Sequence, residues 1–330
     1  MSELLFVLHA FMLALVWFAM VNGAATMAVA VFARQLIDQD RIRPASLWMG
    51  LRLLPAAAAT VAVATVFLPS YWLYEPRDYT EGFQAALSAV ALFASALVIA
   101  AIARGAAAWI RASRRATYWL TVAQPIALAG TSLPAYRIAV DAPVLALVGV
   151  FKPRLFISRS VAAVLTDEEL AASAAHEVGH RRAFDNFKRL LFLGAPDFLP
   201  AALARTLEQQ WAAAAERDAD RRASDGVRGE GAIVAARCAL ASAIVKVARM
   251  MPPPGPMAEP ISTLVDGGDI ETRVRSLLDT GVTNDHAHAR MSRMALAVAA
   301  TLTFVLIAGS YASLLRAMHE VTEVLVQTLP

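Results

Sequence analysis

The sequence predicts a mostly α-helical integral membrane protein in which four transmembrane helices carry a soluble α+β domain. Three observations predict it. Of 330 residues, 58% are hydrophobic and only 17% charged, with a mean hydropathy of +0.52, outside the usual range of a soluble globular chain. Four long stretches are almost free of charge, while the middle of the chain carries most of the Lys, Arg, Asp and Glu. Within that charged middle, short β-rich runs precede longer helical ones.

A helix needs about 20 apolar residues to cross the hydrocarbon core. Leu4 to Ala33, Leu53 to Leu73, Phe83 to Ala103 and Met294 to Leu315 meet that requirement. The first is too long, and lacks the basic start, of a cleavable signal peptide, so it reads as a retained, tilted span. Within it, Asn22 reads as a partner in an interhelical hydrogen bond and His9 as an interfacial residue. Arg34, Arg41, Arg43 and Arg52 flank the first two spans on one side; Arg104, Arg111, Arg114 and Arg115 come after the third. The 74–82 connection instead sets one Arg against Glu75, Asp78 and Glu81. The positive-inside rule then puts the N-terminus outside and the charged middle in the cytoplasm. The expected organisation is three spans in 1–110, a cytoplasmic domain in 111–290, a fourth span in 291–316 and a short extracytoplasmic tail in 317–330.

In the soluble domain, Val144 to Val150 and Leu155 to Ile157 are β-rich runs separated by Phe151-Lys152-Pro153-Arg154, which suits a small hairpin or edge pair. Thr166 with Glu169 three residues on is a capping box, and Asp167, Glu168 and Glu169 favour the positive end of the helix dipole. That helix is expected to run to about Leu190 and to break at Gly194, Pro196 and Pro200. A second helix covers about 201–223 and a third about 230–250, before the stiff run from Pro252 to Pro256. Cys238 is the sole cysteine, which excludes an internal disulfide and a cysteine zinc site. The net charge of +3 is small, and the basic residues lie beside spans, so nothing points to direct nucleic-acid binding.

The chemistry lies in His176-Glu177-Val178-Gly179-His180. Histidines at i and i+4 share one helix face, close enough to bind one ion, and the adjacent Glu can reach a water on it. This is the zincin arrangement, with one Zn²⁺ per chain expected. The small apolar turn before it, Ala171 to Ala175, argues against two solvent-exposed histidines. Catalytic zinc keeps three protein ligands and an open position. Glu216 supplies the third ligand in this reading, with Asp220 one turn on accepting the second ring N–H of a ligating histidine. Asp218, on another face, is the competing candidate. Glu177 then takes the proton of the attacking water and passes it to the leaving amine, which makes the reaction peptide-bond hydrolysis. No Tyr occurs between Tyr136 and Tyr311, so oxyanion stabilisation falls to an Arg such as Arg222 or to no side chain at all. An edge strand within 144–158 could align an extended substrate.

These residues resemble the BlaR/MecR-type family of integral-membrane zinc metallopeptidases, the antirepressor class behind inducible β-lactam resistance. The resemblance rests on Ala142-Pro143, the Gly149 to Ile157 run with Lys-Pro-Arg, Asp167-Glu168-Glu169-Leu170 entering the zinc helix, Arg181-Arg182 and Asp185-Asn186 after it, Glu216 with Asp220, and Glu271 to Leu278. It implies a cytoplasmic gluzincin domain in which His176, His180 and Glu216 bind zinc, Glu177 is the acid/base, Asp220 supports a ligand, and Asp185 orients the site or caps the helix. It also implies a bacterial inner (plasma) membrane location in contact with lipid, and a protein substrate such as a DNA-binding repressor; the oligomeric state stays open. Sensor members carry an extracellular penicillin-binding domain after the fourth span, where this sequence has a short tail. The zinc helix with Gly179 and the Glu-x-x-x-Asp element are also similar to HtpX and CAAX-protease-type membrane gluzincins, which work in quality control or prenyl-protein processing. A third reading, a non-catalytic metal-binding transducer, fits poorly with the presence of Glu177.

Overall fold

The computed structural model describes residues 2–39, 41–77, 84–128, 131, 133–140, 142–227, 229–250, 261–264, 270–279 and 309–328. The chain divides into two compact units. One comprises Met1–Val29, Leu54–Ile99 and Gly281–Pro330; the other comprises Ala30–Leu53 and Ala100–Thr280.

The described residues of the first unit are mostly helical. Helix α1 covers Ser2–Ile37, and α2, Ala45–Ala62, continues through a π-helical turn at Val63–Phe67 into α3, Leu68–Tyr74. The π turn lies about two to three turns beyond Pro55, whose missing N–H already breaks the ladder of α2. Helix α4 covers Ala85–Thr121 and so runs well past the expected end of the third span. His9 Nδ1 lies 3.3 Å from the Tyr71 hydroxyl, which donates to the Phe6 carbonyl at 3.3 Å. His9 is thus buried against α3. Asn22 accepts from Thr26 one turn along its own helix at 3.5 Å.

Among the described residues, four helices are long and apolar enough to cross a membrane: Glu3–Ile37, Ala45–Tyr74, Ala85–Thr121 and Glu230–Met250. Most of the expected fourth span, 291–308, lies outside the described residues. The chain is helical again over 309–328, a range that includes most of the stretch expected to be tail.

The second unit is built on a five-stranded mixed sheet. Its strands are β1 (Ala123–Ile126), β2 (Ala135–Ile138), β3 (Leu145–Val148), β4 (Arg154–Ser158) and β5 (Ile261–Thr263), in the order β1-β2-β4-β3-β5. β2 pairs with β4 in parallel; the other neighbours are antiparallel. β3 and β4 do form the expected hairpin, but at the centre of the sheet, so the expectation of an edge pair in 144–158 is corrected. The reason is two-sided burial. Leu145, Leu155 and Ile157 pack on one face with Ala174, Leu240, Ile244, Val247 and Leu277, while Ala146, Val148 and Phe156 pack on the other with Ala116, Trp119 and Leu120 of α4. Strands covered on both faces read as continuous apolar runs. The edges are β1, where Pro125 costs no ladder bond, and β5.

Helices α5 (Arg159–Val164), α6 (Asp167–Ala183), α7 (Asp185–Leu193), α8 (Ala201–Asp225), α9 (Glu230–Met250) and α10 (Ile270–Leu278) complete this unit. The capping box at Thr166 and Glu169 forms as expected. The break after the zinc motif comes at Phe184, well before the expected one at Gly194, with φ 57°. A left-handed Phe costs about 1–3 kcal/mol and is held there by the turn it makes. Leu193 and Ala195 accept from Arg104 at 3.4 and 3.2 Å, tying the end of α7 to α4.

Glu169 does more than cap. Its carboxylate also accepts from Ser242 at 2.6 Å and from Lys246 at 2.8 Å, pinning α9 to the start of α6. Burial opposes ionisation, but the bonds from Lys246, Ser242 and the Thr166 backbone outweigh it and hold the carboxyl below the usual range. A lowered native pKa means the stabilisation is present above about pH 4.3 and lost as pH falls through the native value. Glu169→Gln is therefore expected to lower stability by about 1–2 kcal/mol at pH 7. The gap in melting temperature between it and wild type should close below about pH 4; a gap independent of pH would contradict the assignment.

Candidate metal centre

The zinc motif occupies the buried face of α6. Ser173, Ala174, His176, Glu177, Gly179 and His180 are all buried, most of them completely. That face meets α8 closely: a Cβ built on Gly179 would lie 3.2 Å from Ala219 Cα and 3.3 Å from its carbonyl oxygen. Only glycine lets the two helices approach this far, which is what brings Glu216 of α8 to the histidines. Gly179→Val is expected to push the helices apart, costing about 1–3 kcal/mol and weakening zinc binding. Wild-type zinc affinity in that variant, measured by competition with a chelating dye, would count against this role.

His176 Nε2 and His180 Nε2 lie 3.0 Å apart. Glu216 Oε2 is 3.3 Å from the first and Oε1 3.3 Å from the second. Four-coordinate zinc with bonds of about 2.0–2.1 Å spaces its ligand atoms by about 3.3 Å, so the three side chains fit that ion. Both Glu216 oxygens and both Glu177 oxygens are buried without a hydrogen-bond partner, as expected of groups arranged around a cation and its water. His176, Glu177, His180 and Glu216 form a gluzincin zinc-binding site, the active site of a zinc metallopeptidase.

The far side of each imidazole is held by a carboxylate. Asp220 Oδ1 lies 2.9 Å from His176 Nδ1, and Asp185 Oδ2 lies 2.8 Å from His180 Nδ1. The turn at Phe184 folds Asp185 back to that nitrogen. With Nδ1 occupied in this way, Nε2 of both rings is left to face the ion. Asp218 lies apart from the site, paired with the exposed Arg221.

The crowding of charges sets the electrostatics. Burial disfavours protonation of His180, yet Glu216, Asp185 and Glu177 outweigh it and push its pKa up to about 10; His176 is raised too, against its burial, by Asp220 and Glu216. Burial raises Glu177. The site thus attracts positive charge. Glu216 resists the protonation that burial favours because of Arg273 and His180, and is held well below the usual carboxylate range.

Arg273 is the site residue that the sequence reading missed. Carried by α10 and 3% exposed, it donates from Nε and Nη2 to the two Asp220 oxygens at 2.9 and 2.7 Å, donates to the Leu264 carbonyl at 2.9 Å, and sets Nη1 3.0 Å from Glu216 Oε2. Arg222, the expected oxyanion stabiliser, is solvent-exposed, because at i+6 from Glu216 it lies about 120° round α8 from that residue. The buried guanidinium at the centre is Arg273 instead. Its signal was legible: Ile270, Arg273, Val274 and Leu277 share one helical face, so a charge interrupts an apolar stripe.

No family model matches the chain, and no curated protein matches it.

Proposed function

We propose that the protein is an integral-membrane zinc metalloendopeptidase that cleaves a cytoplasmic or membrane-proximal protein in regulatory signalling, in the manner of the BlaR/MecR antirepressor class. The observation that carries this reading is the buried His176, Glu177, His180 and Glu216 constellation in a chain with long apolar helices. The positive flanks of the spans favour a cytoplasmic domain, and the resemblance to the BlaR/MecR class supports a bacterial plasma membrane and a protein such as a repressor as substrate.

The chemistry a zinc ion supplies there is Lewis acidity, which acidifies water and polarises a carbonyl. Glu177, with both oxygens unengaged, takes the proton as the water oxygen bonds to the scissile carbon, and returns it to the amine nitrogen as the C–N bond breaks. Burial raises the pKa of Glu177, which favours its taking up a proton. Asp220 and Asp185 orient the imidazoles, and Arg273 holds Asp220 and balances the charge of Glu216.

The test compares new protein N-termini in cells expressing wild type and Glu177→Ala, both folded. One or a few Glu177-dependent cuts in a cytoplasmic regulator support the signalling protease. Broad cleavage of membrane proteins moves the assignment to an HtpX-like quality-control enzyme. Cellular effects that survive Glu177→Ala leave a non-catalytic transducer.

A further inference from the structure

A second group of ligating side chains lies in the first unit, away from anything the protease reading uses. The helix at 309–328, here α11, carries His319 and Glu323 one turn apart on one face, and Glu75 is the residue that ends α3. One ligand atom from each of the three lies within 4.8 Å of the others. We propose that Glu75, His319 and Glu323 bind a divalent cation of the zinc class, which joins the end of α3 to α11.

The electrostatics ask for a cation. The Glu75 side chain is only 6% exposed, and it sits at the C-terminal end of α3, where the helix dipole disfavours a negative charge. A second carboxylate, Glu323, faces the same point. His319 Nδ1 is 3.7 Å from Glu75 Oε2, too far for a hydrogen bond between them and close to the spacing of two ligands on one ion.

The scaffold holds the ligands in place. The His319 ring packs against Tyr74, centroids 5.8 Å apart and planes at 32°, which restrains its orientation. α11 is fixed on both sides of the cluster by Ser70 donating to the Leu315 carbonyl at 2.6 Å and by Trp17 donating to Thr322 at 3.1 Å. One imidazole with two carboxylates suits zinc and its first-row neighbours better than magnesium or calcium, which take oxygen alone. Under the positive-inside topology these residues face the extracytoplasmic side, so the cation would be drawn from there. The proposal does not depend on peptidase activity.

The test is zinc stoichiometry and affinity of the full chain in detergent, by equilibrium dialysis against zinc alone with metal analysis of the protein. Wild type is expected to hold two zinc ions. The His176→Ala/His180→Ala variant should keep one, and the His319→Ala/Glu323→Ala variant should keep the other. Because the double substitutions could disturb packing, Glu75→Gln serves as a near-isosteric control and should weaken the second site by about tenfold or more with an unchanged melting temperature in the absence of zinc. Loss of all zinc from the His176→Ala/His180→Ala variant, two ions retained by the His319→Ala/Glu323→Ala variant, or unaltered affinity in Glu75→Gln would each overturn the proposal.

Discussion

Glu177→Gln is expected to lower peptide hydrolysis by about 10²–10⁴-fold, the usual contribution of general acid–base catalysis, while zinc binding at the histidines is retained. Glu177 is fully buried, makes no hydrogen bond through either oxygen, and is not among the three side chains whose donor atoms converge. Its carboxylate therefore does little for the fold, and burial works against its charge. The amide fills the same space without that charge, so stability should hold or rise slightly. The measurement is cleavage of a substrate identified from Glu177-dependent N-termini, beside a melting curve and zinc affinity. A variant that cleaves at the wild-type rate removes Glu177 from the chemistry; one that loses zinc makes it a structural residue.

Arg273→Met should cost about 3–5 kcal/mol of stability, because it leaves buried carboxylates without their countercharge. Asp220 accepts two hydrogen bonds from this guanidinium, and Glu216 lies 3.0 Å from it. Burial disfavours the Arg273 charge, but Glu216, Asp220 and Glu177 raise its pKa further still. Zinc affinity is expected to fall by about 10–100-fold, the usual effect of removing the support behind a metal ligand. Arg273→Lys keeps the charge and loses the two-pronged geometry, so it should recover part of the stability and less of the affinity. Equal losses in stability and zinc affinity for Met and Lys would mean that the charge itself contributes nothing.

The parts of this molecule that were legible in the sequence are those encoded over one or two helical turns. His176 and His180, Glu216 and Asp220, and Thr166 and Glu169 all declare themselves at i+3 or i+4, and each pair lies together in the structure. Helices at 201–225 and 230–250 could be read from periodicity and their flanking breaks. Features set by distant pairing were harder. β1, β2 and β5 are three or four residues long and exist because of their neighbours, so no local pattern marks them. The break at Phe184 carries no glycine, proline or asparagine, and tertiary contacts hold its left-handed backbone. Arg273 lies 57 residues beyond Glu216 in sequence, and only the packing of α10 brings them together. It is still visible as a charge on an apolar stripe, whereas the nearness of Arg222 to Glu216 in sequence says little about which helix face it occupies.

His176, His180 and Glu216 are arranged to hold one zinc ion, and Glu177 would then serve as the acid/base of peptide hydrolysis. The most direct measurement of that claim titrates zinc back into chelated, full-length protein and follows cleavage and bound metal together. To isolate this centre, the His319→Ala/Glu323→Ala variant is used. The predicted result is no cleavage without metal, activity rising in proportion to zinc and reaching its maximum at one ion per chain, and activity about 10²–10⁴-fold lower at every occupancy in Glu177→Gln. Cleavage that survives complete removal of zinc, or that returns to the wild-type rate with zinc in Glu177→Gln, would contradict it.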